Sequence, residues 1–194
     1  MNSLLGLMLA ATVASGALAG LDPAADSFGI YFDMAGNTNC VAASAWQPLP
    51  AYLVLLNPSG PTDGFECSVS MTGAPYILLS TTYSADCGPE PDWNWILGDY
   101  GCAGSTPFAA VNGAVVLVTW SIMLHAPAEL LFHIGPASTP SLPGRWPVLV
   151  GDGNLRYGAI SSGNAELPVA AINAANCPVS EEVASFGGVK SLFR

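Results

Sequence analysis

Positive charge is nearly missing from this chain. Four Lys and Arg stand against fourteen Asp and Glu, giving a formal net charge of −10 at pH 7. Nucleic-acid binding therefore lacks its basic footprint, and anionic membrane surfaces are disfavoured for the same reason. Charge of either sign is scarce too: charged residues make up 9% of the sequence, against roughly 25% in an average soluble protein. The chain is nonetheless 51% hydrophobic, which excludes disorder, since that needs low hydrophobicity with high charge. There are only two histidines, and the HExxH, P-loop and strand–GxGxxG–helix motifs are all missing, as is GxSxG. No cofactor is implied. After the N-terminal stretch, no segment reaches the roughly 18 uninterrupted apolar residues of a membrane-spanning helix.

Leu4 to Ala19 form an apolar run that ends in Ala17-Leu18-Ala19 before Gly20. That is the small-x-small pattern cut by a signal peptidase, although no Lys or Arg precedes it. The reading is residues 1–19 as signal peptide, 20–177 as one β domain and 178–194 as a tail, in a secreted or cell-surface protein. An oxidising compartment favours disulfides, and five cysteines leave one over. Phe65, Cys67, Val69 and Met71 alternate with polar residues, so Cys67 falls on the core face as an inert thiol. Cys87 and Cys102 bracket a Pro/Gly-rich loop that a bridge would staple by about 3 kcal/mol. Cys40 and Cys177 follow the first and last strand candidates, which are commonly neighbours in a sandwich. The expected pairs are Cys87–Cys102 and Cys40–Cys177. Metal binding is not expected, because no paired Cys/His spacing occurs. The Asx-rich stretch from Asp33 to Asn39 offers oxygens for calcium but does not match an EF-hand and can cap its own backbone.

With 21 Gly and 16 Pro, the chain reads as short β-branched and aromatic runs between turns, the pattern of an all-β, antiparallel two-sheet sandwich. Expected strands are 27–33, 51–57, 64–72, 76–83, 114–124, 128–135, 147–150, 155–160 and 167–174, with a hairpin turn at Gly151-Asp152-Gly153-Asn154. In 114–124, Val116, Val118, Trp120, Ile122 and Leu124 share one side, and Val115, Leu117 and Met123 the other. Such a strand is covered on both faces or meets a partner. A short helix is expected after Pro178, with Ser180 as N-cap.

The strand order around Gly64–Tyr83 and the Gly113–Gly135 block resembles the cohesin-like and carbohydrate-binding β-sandwich modules of exported bacterial proteins. Phe28-Gly29-Ile30-Tyr31-Phe32-Asp33 with Cys40, and the ending Phe186-Gly187-Gly188-Val189-Lys190-Ser191-Leu192-Phe193-Arg194, are similar to a set of uncharacterised secreted bacterial proteins. These share an aromatic-Gly-x-Val/Ile-Lys-x-Leu-aromatic-Arg tail. The resemblance implies a fold and a compartment but no chemistry. Dockerin binding does not carry over, because cohesins usually sit in multi-module chains.

Three functions compete. The first is a non-enzymatic structural or interaction module in adhesion or extracellular assembly, because so uncharged a surface favours self-association or contact with an extracellular partner. Its tail would add an apolar stripe with Phe186, Val189 and Phe193 beside Lys190 and Arg194, read by a partner as a helix in a groove. The second is glycan binding by Trp93, Trp95 and Tyr100, with Asp92 and Asn94 bonding hydroxyls. The third is a glycoside hydrolase using loop acids such as Asp92 and Asp99. His125 and His133 fit solvent-facing or edge positions, and Trp46 and Trp146, beside prolines, read as core or rim residues.

Overall fold

In the computed structural model the described residues are 22–88 and 98–178. The signal-peptide reading, the C-terminal helix, the tail residues Phe186, Val189, Lys190, Phe193 and Arg194, and the loop residues Asp92, Trp93, Asn94 and Trp95 all lie outside them. The described strands are β1 (Ser27–Tyr31), β2 (Cys40–Val41), β3 (Pro48–Leu56), β4 (Gly64–Gly73), β5 (Tyr76–Tyr83), β6 (Asp99–Ala103), β7 (Ala114–Leu124), β8 (Leu130–Gly135), β9 (Val148–Gly151), β10 (Asn154–Tyr157), β11 (Ala159–Ile160) and β12 (Ala170–Ile172). They form two sheets. One runs β11-β1-β3-β7-β5; the other has the hydrogen-bonded order β10-β9-β4-β8-β12-β2, with β6 also paired to β4. The protein is thus an all-β, two-sheet sandwich. Most pairs are antiparallel, but β1 with β11 and β12 with β2 are parallel. Among the described residues no helix is long and apolar enough to cross a membrane.

Alternation explains the layers. Phe28 and Ile30 of β1, Leu53 and Leu55 of β3, and Trp120 and Ile122 of β7 meet Phe65, Cys67 and Val69 of β4 and Phe132 and Ile134 of β8 in one buried cluster. The two-faced apolar pattern of β7 has a more specific cause than the sequence suggests. In the β3–β7 register, Leu53 faces Val118 and Val54 faces Val116, so Leu117 is an extra residue. A bulge of this kind reverses which side chains face the core. Val115 and Leu117 therefore join Val118, Trp120, Ile122 and Leu124 in the core, and only Val116, with Ala114, turns to the outer cluster of Tyr31, Val54 and Leu56. The expected grouping of Val116 with Val118 is corrected by that one residue.

The predicted hairpin between β9 and β10 is present, with Asp152 at φ 50° and Gly153 at φ 70°. Two successive positive φ values give a type I′ turn, whose twist suits a hairpin. Both expected disulfides form, Cys40–Cys177 and Cys87–Cys102, and Cys67 is the free, buried cysteine. The neighbours that bring Cys40 toward Cys177 are β2 and β12, with Cys40 opposite Ala171; the first strand, β1, belongs to the other sheet.

One interruption in the second sheet shapes its surface. Ser68 of β4 pairs with Gly135 on one side and Asp99 on the other, while Glu66 pairs with Val148 and Gly101. β8 and β9 therefore follow one another along the same edge of β4, and residues 136–147 between them leave the ladder as an excursion. That excursion lies over the outer face, where the Glu66 carboxylate accepts from the backbone and hydroxyl of Ser141 and Asp99 accepts from the Ser138 amide.

Candidate functional site

Arg145 and Trp146 lie at the end of the excursion, and Trp146 stands between three recesses. The first, about 450 Å³, is lined by Pro136, Arg145, Trp146, Gly163, Asn164, Ala165 and Glu166. The second, about 440 Å³, adds Asp22, Pro23, Ala24 and residues 159–161. The third, about 310 Å³, is bounded by Ala25, Asp26, Trp146, Tyr157, Gly158 and Ala159. Because Trp146 borders all three, they form one groove, where the chain passes from β10 in one sheet to β11 in the other. Trp146 is 38% and Tyr157 46% exposed, a large aromatic surface to leave in water.

The walls are held by local polar bonds. Tyr157 donates its hydroxyl to the Pro143 carbonyl at 2.8 Å, and the ring packs near Gly144. Asn164 Oδ1 accepts from the amides of Glu166 (2.8 Å) and Leu167 (3.1 Å), an Asx turn that fixes the rim. Asp26 sits at φ 55°, a conformation that Asp tolerates better than most residues. Arg156 donates to it from Nε at 3.1 Å and from Nη2 at 3.2 Å, and the Ser59 amide donates at 2.9 Å. Burial pushes the Asp26 carboxyl upward, but the bonds from Arg156 and Ser59 and the Arg156 charge outweigh it and hold the group below the usual carboxylate range.

The Tyr31 hydroxyl is buried, with the Ser161 side chain beside it. Burial, then the charge of Asp22, drives its ionisation well above the ordinary tyrosine range, opposed by a hydrogen bond with the Ser161 side chain. Asp22 and Ser161 both line that recess.

A second surface contrasts with the groove. On the outer face of the five-stranded sheet, three cross-strand rows read Pro48–Met123–Ile77, Pro50–Ser121–Ser80 and Tyr52–Thr119–Thr82. None carries a charge. β5 ends that sheet, and all of its residues from Ile77 to Thr82 are exposed. At the same end Trp46, 58% exposed and at φ 61°, stacks on His125 with ring centroids 4.6 Å apart.

The described sequence-predicted site residues fall elsewhere. Tyr100 is only 4% exposed and packs edge-on against Trp120 in the core at 5.2 Å, so it offers no face to a ligand arriving from solvent. Its position follows from the register: Tyr100 is opposite Cys67, on the core side of β4. Asp99, 5% exposed, lies under the excursion with its carboxylate on the Ser138 amide, so it does not face an open cleft. Asp33 accepts from the amides of Ala35 (2.9 Å) and Asn37 (3.2 Å), capping its own turn. His125 is exposed and His133 half-buried. Trp146 was the residue that the sequence undervalued. Nothing local marks it, because its neighbours at 22–26 and 157–166 meet it only through the fold.

No family model matches the chain, and no curated protein is similar to it. Among solved structures it is similar to a type II cohesin dyad from the adaptor scaffoldin ScaA of Acetivibrio cellulolyticus, at 16% identity and a TM-score of 0.47, over 77% of this chain and 48% of that one. It is also similar to the sixth cohesin of that organism's scaffoldin B, solved with a Cel5 dockerin, at 10% identity and a TM-score of 0.46, over 76% of this chain and 98% of that one. The chain spans about half the length of the dyad. At this distance neither likeness says what this chain binds.

Proposed function

We propose that this protein is an exported, non-enzymatic interaction module acting in adhesion or extracellular assembly. The observation that carries the reading is the open face formed by β3, β7 and β5, whose three rows hold no charged residue on a chain of net charge −10. Two copies can bring such faces together without opposing like charges, and the exposed strand β5 adds backbone groups on which a further strand can pair. The two disulfides support an oxidising compartment, in line with cleavage after Ala19. The tail residues Phe186, Val189, Lys190, Phe193 and Arg194 are a second contact in this reading, offered to an export, sorting or assembly partner.

Sedimentation velocity of the chain from Gly20 onward, over a wide concentration range, tests the assembly reading. Concentration-dependent dimers or larger species are expected. Leu79→Lys and Thr119→Lys, which place charge on the edge and in the middle of the face, should return the protein to monomer. Monomer at every concentration, unchanged by either substitution, would remove the assembly reading.

A further inference from the structure

We propose that the groove around Trp146 binds a neutral glycan, stacking a pyranose ring on the indole. This site is separate from the uncharged sheet face and does not depend on it. A pyranose whose hydroxyls are equatorial presents C–H groups on its faces, and each hydroxyl on its rim both donates and accepts. A site for it needs an exposed aromatic plane bordered by unpaired donors and acceptors. The groove has the plane: one indole borders all three recesses, with Tyr157 at the far end.

It also has the rim. Arg145 and Glu166 line the same recess, yet among the described residues the one ion pair is Arg156–Asp26, so neither neutralises the other. The Asn164 carbonyl is used by its own turn, which leaves the amide NH₂ for a ligand. A guanidinium, a carboxylate and an amide NH₂ supply donors and acceptors around one aromatic ring, which is the complement of a polyol.

Charge selects the class of glycan. Asp22, Asp26 and Glu166 border the groove against Arg145, with Asp26 already paired to Arg156, and the chain carries a net charge of −10, so uronic acids and sulfated sugars meet a field that is repulsive overall. The recess volumes, from about 310 to 450 Å³, fall within the roughly 300–1,000 Å³ of small-ligand sites, and three recesses around one indole leave room for more than one sugar unit.

The test is isothermal titration of the full mature chain with cellohexaose, chitohexaose, xylohexaose and mannohexaose, with hexagalacturonate as the acidic arm. At least one neutral hexasaccharide should bind, and Trp146→Ala should weaken it tenfold or more. Glu166→Gln and Arg145→Ala, both on the exposed rim where refolding is not at issue, should each weaken it several-fold. Failure of all four neutral sugars to bind would overturn the proposal. So would affinity unchanged by Trp146→Ala in a protein with the wild-type circular dichroism spectrum, or hexagalacturonate binding as tightly as the best neutral sugar. Because the assembly test reads β5 and β7, either idea can fail while the other stands.

Discussion

The carboxylate of Glu66 accepts both the backbone amide of Ser141, at 2.5 Å, and its hydroxyl, at 2.9 Å, across 75 residues of sequence. Glu66 is only 4% exposed, so the pair pins the 136–147 excursion to the outer face of β4, and that excursion carries Arg145 and Trp146. A hydrogen bond to a charged group is worth about 1.5–3 kcal/mol. Glu66→Ala should therefore destabilise the fold by about that amount, and Ser141→Ala by about 1 kcal/mol, read from urea unfolding midpoints. The double variant should lose less than the two single losses added together, as expected for partners in one contact. Strict additivity would mean that the excursion is held by other contacts.

Acid should weaken the protein partly through Asp26. Its carboxyl is held below its ordinary value by Arg156 and Ser59, so in the unfolded chain it takes up a proton at higher pH than in the folded one. The stability it contributes is full above the unfolded value near 3.8 and is lost as pH falls through the lower, folded value. Unfolding midpoints measured from neutral pH down to about pH 2 should fall most steeply below the ordinary carboxylate range. Asp26→Asn should lower stability at neutral pH and flatten that acid slope. Asn also accepts the positive φ of this position, so the backbone is kept and the change isolates the charge. An unaltered slope would show that other carboxylates govern the acid limb.

Much of the sandwich was legible because alternation is local. β5 and β7 begin and end where the periodicity places them, and Cys67 lies on the core face with Phe65 and Val69. What escaped was set by tertiary pairing. β2 is two residues long and exists only because Cys40 and Val41 pair with Ala171 and Ile172. β6 contains Asp99 and Gly101, poor strand formers, and is a strand because β4 offers it an edge. The Leu117 bulge and the exposure of Trp146 likewise depend on partners far away in sequence. Nearness in sequence to Trp93 and Trp95 pointed to Tyr100, which the register sends inward.

Thiol chemistry should separate the five cysteines cleanly. Burial, and then the nearby charges of Asp99 and Glu66, push the Cys67 thiol far above its ordinary range, leaving almost no reactive thiolate. Iodoacetamide should leave the native protein unlabelled, and denaturation without reductant should expose a single site at Cys67. Reduction before denaturation should raise the count to all five. Cys67→Ala should be tolerated better than Cys67→Ser, since a hydroxyl at this fully buried position would need a partner. Two or more labels on the unreduced, denatured chain would contradict the pairing of Cys40 with Cys177 or of Cys87 with Cys102.

Two glycines, Gly158 at the third recess and Gly153 in the β9–β10 turn, should respond to substitution for different reasons. A Cβ on Gly158 would lie 2.4 Å from Cε2 of Phe28 and 3.1 Å from the Asp26 carbonyl. Phe28 is wholly buried and cannot swing away, so Gly158→Ala should cost about 1–3 kcal/mol through overpacking and spread the third recess. Gly153 has no neighbour within 4 Å of a built Cβ, but its φ is +70°. There the penalty for Ala is backbone strain of about 1–2 kcal/mol, and Asn, which visits that region readily, should recover much of it. At Gly158 the ranking should reverse, because Asn is larger than Ala and the obstacle is space. Urea midpoints for Ala and Asn at both positions read the distinction directly, and the same ranking at both would show that one mechanism governs the pair.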